Sequence, residues 1–481
     1  MTDEQIGALI DDPVMRTTSS ALEFTQLLLE RITTSQRAVN AFITVTPDLA
    51  LADARRVDAR RTAGWRSPLD GLPIAVKDNI DVGGVRTTVG SKMFERNVAT
   101  QDAEVVRRLR SAGAIILGKT NLHELAYGTT SNNATFGPTR NPWDLKRIPG
   151  GSSGGSGAAV SADLCVGALG SDTGGSVRIP AALNGVSGLR PTYGSVSNRG
   201  TFPVSWSFDI VGPMARSVHD VWRLFAVIMG FDRCDPRAVE RAAKFSTDEQ
   251  PRRLDGVRIG LPERYFFENV DSEITDSVRA AADIFTTLGA ELVSVSIEGA
   301  QEANRVCNLI IRAEAFAIYR ARCDEHPELI AEDIVQRLRL GADIGGAELA
   351  MLFQRMYEWR CGVRELFSNV DLVLTPTTDC LAPTIASSET IATTAVLTRL
   401  TYPWSLAHLP ALAVPCGLSA SDLPIGLQLA ARPWEEALLL QAGAAFQRVT
   451  DWHRKRPPVF AHAMSSPVQS PLRSKGQHHD S

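Results

Sequence analysis

Lysine is scarce in this chain. Only seven of its 50 basic residues are lysines (Lys77, Lys92, Lys119, Lys146, Lys244, Lys455 and Lys475), so arginine carries the generic positive charge. Cysteine is equally sparse, and Cys165, Cys234, Cys307, Cys323, Cys361, Cys380 and Cys416 form no C-x-x-C pair. An odd, scattered set excludes a disulfide framework and a zinc ribbon and suits reduced thiols in a cytosol. No run of about 18 uncharged apolar residues occurs, which argues against a membrane-spanning helix. The start, MTDEQIGALIDDPVM, is acidic and lacks the basic region and apolar core of a signal peptide. A net charge of −4 offers no electrostatic footprint for nucleic acid or an anionic membrane. These absences predict a cytoplasmic protein with neither kind of partner.

What is present is a large globular chain. Its 481 residues, 44% of them hydrophobic, suffice for two or three domains or one large α/β domain. Residues 18 to 62 read as helices: Thr18 or Ser19 can cap an apolar-periodic run, and a second helix spans Pro47 to Thr62. The texture then changes. A short apolar run ends at Lys77, a helix is expected over Asp102 to Ala112, and a buried strand over Ala114 to Leu117 with Gly118 as a turn. Such alternation marks an α/β fold. Further strands are expected at Leu164 to Leu169, Asp371 to Thr375 and Ala411 to Val414. The section from about Ala280 to Phe367 reads as mostly helical, and a last helix covers Glu435 to Val449. The tail after Met464 has the composition of disorder, and its two histidines are too isolated for a metal site.

Three segments carry chemistry. In AVKDNID, Lys77 closes an apolar run; a lysine can lose its proton and an arginine cannot, although a solvated surface lysine is the commonplace alternative. In GGSSGGSG, Gly150 to Gly157, the literal G-x-S-x-G lacks the hydrophobic strand that a nucleophile elbow needs. No Lys-Ser or Lys-Thr closes the glycines as in a phosphate-binding loop. In GALGSDTGGSVRIPAAL a strand leads into Ser171-Asp172-Thr173-Gly174-Gly175-Ser176, and a helix is expected from Pro180. Consecutive N–H groups of such a turn can converge on an oxyanion, with a serine at its end placed as nucleophile. A serine nucleophile needs a base, and none of the eight histidines lies between His123 and His219. A Ser/Lys arrangement remains.

VKDNID, GGSSGGSG and GSDTGGSVRIPA, in this order, resemble the amidase signature family of serine amide hydrolases. The flanks GAIILGKTNLHELAYG, NPWD and GLRPTYGSVSNRG agree; the likeness is dense over residues 71 to 216 and weak over about 230 to 365. The resemblance implies one α/β/α domain around a large mixed sheet covered by helices. Its N-terminal helical segment (1–62) packs on an amidase domain (63–462), and a disordered tail follows (463–481). It implies Lys77 as catalytic base, Ser152 (the residue held by a cis peptide bond in the family) as relay, and Ser176 as the acylated serine. The backbone of Thr173, Gly174, Gly175 and Ser176 becomes the oxyanion hole, with Asp172 and Arg178 in support. Ser153 is the competitor of Ser152, and with Tyr127, Gly128 and Thr129 it is a candidate for substrate contact. Arg312, Tyr319, Arg355 and Trp359 are weighed equally as pocket, core or surface residues.

No metal or organic cofactor is called for; the expected partner is a small-molecule amide, and a homodimer is compatible with the sequence. The section CNLIIRAEAFAIYRARCDEHPEL reads as closer to general amidases. The alternative is the glutamine-hydrolysing A subunit of an aminoacyl-tRNA amidotransferase, which would bring partner subunits. For Lys77 to act as a neutral base, Asp78 and Asp81 must point away from it.

Overall fold

The computed structural model describes residues 3–241, 253–262 and 264–458. Eleven strands form one mixed sheet: β1 (Phe42–Val45), β2 (Pro73–Lys77), β3 (Ile115–Thr120), β4 (Gly167–Asp172), β5 (Ser187–Arg190), β6 (Ile210–Ala215), β7 (Arg258–Pro262), β8 (Glu291–Val295), β9 (Leu372–Pro376), β10 (Ala411–Leu418) and β11 (Pro424–Ala431). Their order is β1-β3-β2-β4-β6-β5-β10-β11-β9-β7-β8. β2 runs parallel to both β3 and β4, whereas β4, β6, β5, β10, β11 and β9 pair antiparallel in succession. β9, β7 and β8 are again parallel. Every residue of β2, β3, β4 and β6 is buried, so their short apolar runs need no alternation of polarity. Helices cover the sheet, and the expected α/β architecture is what the chain forms. No helix among the described residues is long and apolar enough to cross a membrane.

Several local expectations are corrected. Within 18–62, the first long helix is Ala21–Val39, capped by Ser20 and not by Thr18 or Ser19, and the second is Pro47–Thr62. Between them lies β1, whose sequence FITV is a β-former that pairs antiparallel with β3. Gly118 is no turn: it lies inside β3, where a Cβ would meet the Thr44 carbonyl oxygen at 2.4 Å. The glycine is there because β1 crosses so closely. The second half of the glycine-serine segment is helix, Gly154–Ser161, and the helix after the Ser176 turn begins at Arg178. β8 interrupts the section read as helical; its five residues, at the sheet edge, are half-buried or exposed. Residues 459–481, including the tail, lie outside the described residues.

Candidate active site

β2 delivers Lys77 to the centre of the molecule. Its register sets Lys77 opposite Thr120 on β3 and Val76 opposite Leu169 on β4, so the β4 residues beyond Leu169 pass the lysine side chain. Lys77 is wholly buried. Its Nζ donates to Ser152 Oγ at 2.7 Å and to Ser171 Oγ at 2.9 Å, and Asn79 Nδ2 donates to the same Ser171 hydroxyl at 3.1 Å. Burial pushes the ammonium down to about 7, against the pull of Asp209 and Asp172. The carboxylates nearest in sequence do not bond to it. Asp78 pairs with Lys119 at 2.9 Å and accepts from Thr88 N at 3.0 Å, while Asp81 takes a bond from the Thr87 hydroxyl.

The Gly151–Ser152 peptide is cis. Ser152 and its competitor Ser153 have different surroundings. Ser152 Oγ meets Lys77, and its carbonyl accepts from His123 N at 3.1 Å. Ser153 Oγ donates to the Ser171 carbonyl at 3.2 Å and accepts from Ser171 N at 3.3 Å, tying the loop to β4. Ser153 N also donates to the Ser176 carbonyl at 3.3 Å, which joins the two serine segments.

The turn after β4 is braced from below. Asp172 is wholly buried; burial works against its charge, but the guanidinium groups of Arg178 and Arg190 hold its carboxyl well below the usual range. Arg178 reaches both Asp172 oxygens, at 3.0 and 3.1 Å, and Arg190 reaches one at 3.0 Å. Asp172 in turn accepts from Gly175 N at 2.7 Å. That bond turns Gly175 away from the donor set suggested by sequence. Among the described residues no acceptor pairs with the N–H groups of Gly174 or Ser176. Gly174 cannot be replaced without cost, since a Cβ there would sit 2.0 Å from the Tyr402 ring. Thr401 Oγ1 donates to the Gly174 carbonyl at 2.5 Å and clamps the turn from the other side. Thr173 and Ser176 keep 7 and 8% exposure beside an Asp172 with none, so the turn is where this buried cluster reaches solvent.

The loop from Tyr127 to Thr129 lines an adjoining face. Gly128 lies against His123, whose Nε2 a Cβ would approach to 2.2 Å, and Thr129 Oγ1 donates to Thr394 Oγ1 at 3.2 Å. The Tyr127 hydroxyl is buried without a hydrogen-bond partner among the described residues. Over its ring, 4.3 Å from the centroid, sits the buried guanidinium of Arg337, which has one long bond to the Thr390 carbonyl at 3.4 Å. No carboxylate among the described residues forms a salt bridge with it. Sequence reasoning missed Arg337; its signal is a position beside Ile334 and Leu338 on the apolar side of the helix Glu332–Arg339. The four weighed residues lie elsewhere. Tyr319 and Trp359 donate to the Pro203 and Pro403 carbonyls at 2.8 Å, Arg355 pairs with Glu302 on the surface, and Arg312 is half-buried behind Gly341. Among the described residues no three His, Cys, Asp or Glu side chains gather as metal ligands.

A buried lysine, two serines and a braced glycine turn on a mixed α/β sheet form the arrangement that a serine hydrolase of the Ser/Lys kind would need. The family model for amidase matches residues 23–440, and the chain belongs to the amidase family. It is 40% identical to the A subunit of glutamyl-tRNA(Gln) amidotransferase from Roseiflexus sp. (strain RS-1), over 93% of this chain and 97% of that one. Among solved structures it resembles one described as a vestigial protein complex that reveals the evolutionary origins of an s-triazine catabolic enzyme. The TM-score is 0.85 at 36% identity, over 92% of this chain and 97% of that one. The corresponding glutamyl-tRNA(Gln) amidotransferase chain of Thermotoga maritima superposes with a TM-score of 0.78 at 32% identity, over 95 and 97% of the two chains. The names of these relatives favour the amidotransferase alternative over the general amidases that the middle section suggests.

Proposed function

We propose that the chain hydrolyses a carboxamide through an acyl-enzyme on Ser176, with Lys77 as base and Ser152 as relay. The observation that carries the reading is the 2.7 Å contact between Lys77 Nζ and Ser152 Oγ, made by a lysine that is half neutral near pH 7. Ser176 Oγ attacks the carbonyl carbon; its proton moves to Ser152 Oγ, whose own proton moves to Lys77 Nζ. The carbonyl electron pair becomes an oxyanion facing the N–H groups of Thr173, Gly174 and Ser176. Collapse breaks the C–N bond as the nitrogen takes a proton from Ser152, which Lys77 refills. Water then repeats the sequence on the ester and releases the acid. A fluorophosphonate probe should add its mass to the peptide containing Ser176; labelling of Ser152 or Ser153 instead would overturn the assignment.

Arg337 extends the reading to the substrate. A buried guanidinium lacking a carboxylate partner, beside an unsatisfied Tyr127 hydroxyl, is complementary to an anionic group. A carboxylate-bearing amide is therefore the substrate class we assign. Ammonia release from glutamine and glutaramate should exceed that from hexanamide, and Arg337→Leu should raise KM for the acids about 100-fold. Equal turnover of neutral amides would remove the assignment.

A second reading, the glutamine-hydrolysing A subunit of an amidotransferase, is favoured by the 40% identity to proteins of that name along nearly the whole chain. Glutamine carries the carboxylate that Arg337 would meet. Co-purification with a B-type partner protein, and glutamine hydrolysis that rises on adding it, would separate this reading from a stand-alone amidase.

A further inference from the structure

We propose that Asp209, a residue outside all three motifs, is a positioning residue of the amidase site: it holds Thr173 in the oxyanion turn. This rests on the proposed roles of Ser176 and Lys77.

Asp209 precedes β6, which pairs with β4 so that Ile210 faces Asp172. Its buried carboxylate directs every acceptor to one region. Oδ1 takes the Thr173 hydroxyl at 2.6 Å, and Oδ2 takes the backbone N–H groups of Val204 at 2.7 Å and Ser205 at 3.0 Å. Thr173 is the first residue of the turn, so this bond fixes its backbone where an oxyanion would form. The loop behind is fixed in turn: Glu314, on the helix Ala300–Glu325, accepts from the Ser205 hydroxyl and from Ser207 Oγ at 2.6 Å. The charged groups around Asp209 are therefore few. Asp172 is already shared by Arg178 and Arg190, Glu314 lies across Ser205, and Lys77 lies on the β2 side; the phenols of Tyr193 and Tyr319 also feel the Asp209 charge. The Asp209 charge also opposes the fall of the Lys77 ammonium, and burial pushes the Asp209 carboxyl itself up to about 6.

The test is the second-order rate of fluorophosphonate labelling at Ser176, followed from pH 5 to 9. That reaction forms a P–O bond, expels fluoride and sends the serine proton through Ser152 to Lys77, so it reports the base without requiring a substrate. Asp209→Asn should lower the rate about ten-fold, because Thr173 loses its carboxylate acceptor, and should move the acidic limb toward acid, because a negative charge that favours the Lys77 ammonium is gone. Thr173→Val, which deletes the hydroxyl and keeps the charge, should lower the rate about ten-fold with the limb unmoved. An unchanged labelling rate in Asp209→Asn overturns the inference. Should that variant fail to fold, Thr173→Val decides: an unchanged labelling rate there overturns the proposal. Full labelling of Lys77→Arg would instead defeat the base reading itself, so the two failures are separable.

Discussion

Two lysines stand side by side on neighbouring parallel strands, and they have opposite chemistry around them. Lys77 on β2 and Lys119 on β3 are both wholly buried. Lys119 meets Asp78 at 2.9 Å, the Thr87 hydroxyl at 2.9 Å and the Arg86 carbonyl at 3.2 Å. Among the described residues Lys77 meets the hydroxyls of Ser152 and Ser171 at short range and the Ser171 carbonyl at 3.5 Å, but no carboxylate. A carboxylate compensates a buried ammonium directly, whereas hydroxyls solvate either protonation state. One site is thus an ion pair and the other a candidate base, although both are lysines on buried strands. Asp78 follows Lys77 in sequence, yet it belongs to the other lysine. Its placement opposite Lys119 is what keeps a counter-ion out of the Lys77 site.

The sharpest way to break this contrast is to remove the proton-accepting ability of Lys77. Lys77→Arg should lose about a thousand-fold or more in probe labelling and amide turnover, as much as Lys77→Ala, because arginine stays protonated. Wild-type activity should fall with a midpoint near pH 7 as the neutral amine is lost. Near-normal turnover by Lys77→Arg would make the two lysines alike.

At the other site the expected loss is in stability. Asp78→Asn leaves Lys119 as an uncompensated buried charge, at a cost of about 3–5 kcal/mol in urea unfolding. If unfolding is unchanged, water or another acceptor reaches Lys119 and the ion-pair description fails.

The sequence makes one half of this contrast visible and hides the other. Lys77, Ser152 and the 172–176 turn stand in short motifs whose residue types announce their chemistry, and each motif falls at a strand end or glycine turn. Lys119 stands in GAIILGKTN, which reads as a strand and a turn, so nothing local signals its burial. The braces are equally hidden. Arg190 reaches Asp172 from β5, two strands away across β6, and Thr401 reaches Gly174 from a segment more than two hundred residues on. β5, β6 and β11 escape sequence reading because their glycines and prolines read as loop, while the sheet uses those small residues to bring backbones together. Only pairing across the sheet makes such contacts, and no local pattern encodes it.

A third variant asks what the titratable lysine costs the fold. In the unfolded chain Lys77 regains its ordinary value near 10.5, so between about pH 7 and 10.5 the unfolded state holds the extra proton. Stability therefore rises with pH across that window, and the penalty is full below it. Lys77→Met should remove this dependence and add roughly 1–3 kcal/mol near pH 7, net of the hydroxyl partners left behind. Unfolding curves at pH 7 and 9.5 check both parts. A parallel shift of wild type and variant with pH would mean that Lys77 keeps its proton in the fold.

The smallest effect distinguishes the two adjacent serines that share the Lys77 neighbourhood. Ser153 bonds to both the N–H and the carbonyl of Ser171, and Ser171 offers its hydroxyl to Lys77, so Ser153 acts on the lysine only through the backbone it ties down. Removing its hydroxyl leaves two buried backbone groups short of one partner, worth about 1–2 kcal/mol of stability. Ser153→Ala should therefore lower the unfolding midpoint slightly and slow probe labelling by less than about ten-fold, with the acidic limb still centred near pH 7. Ser152→Ala, which cuts the proton path itself, should slow labelling a hundred-fold or more while folding normally. If the two variants exchanged these behaviours, the relay would run through Ser153, and the bond between Lys77 and Ser152 would be structural, as the pair of Lys119 with Asp78 is.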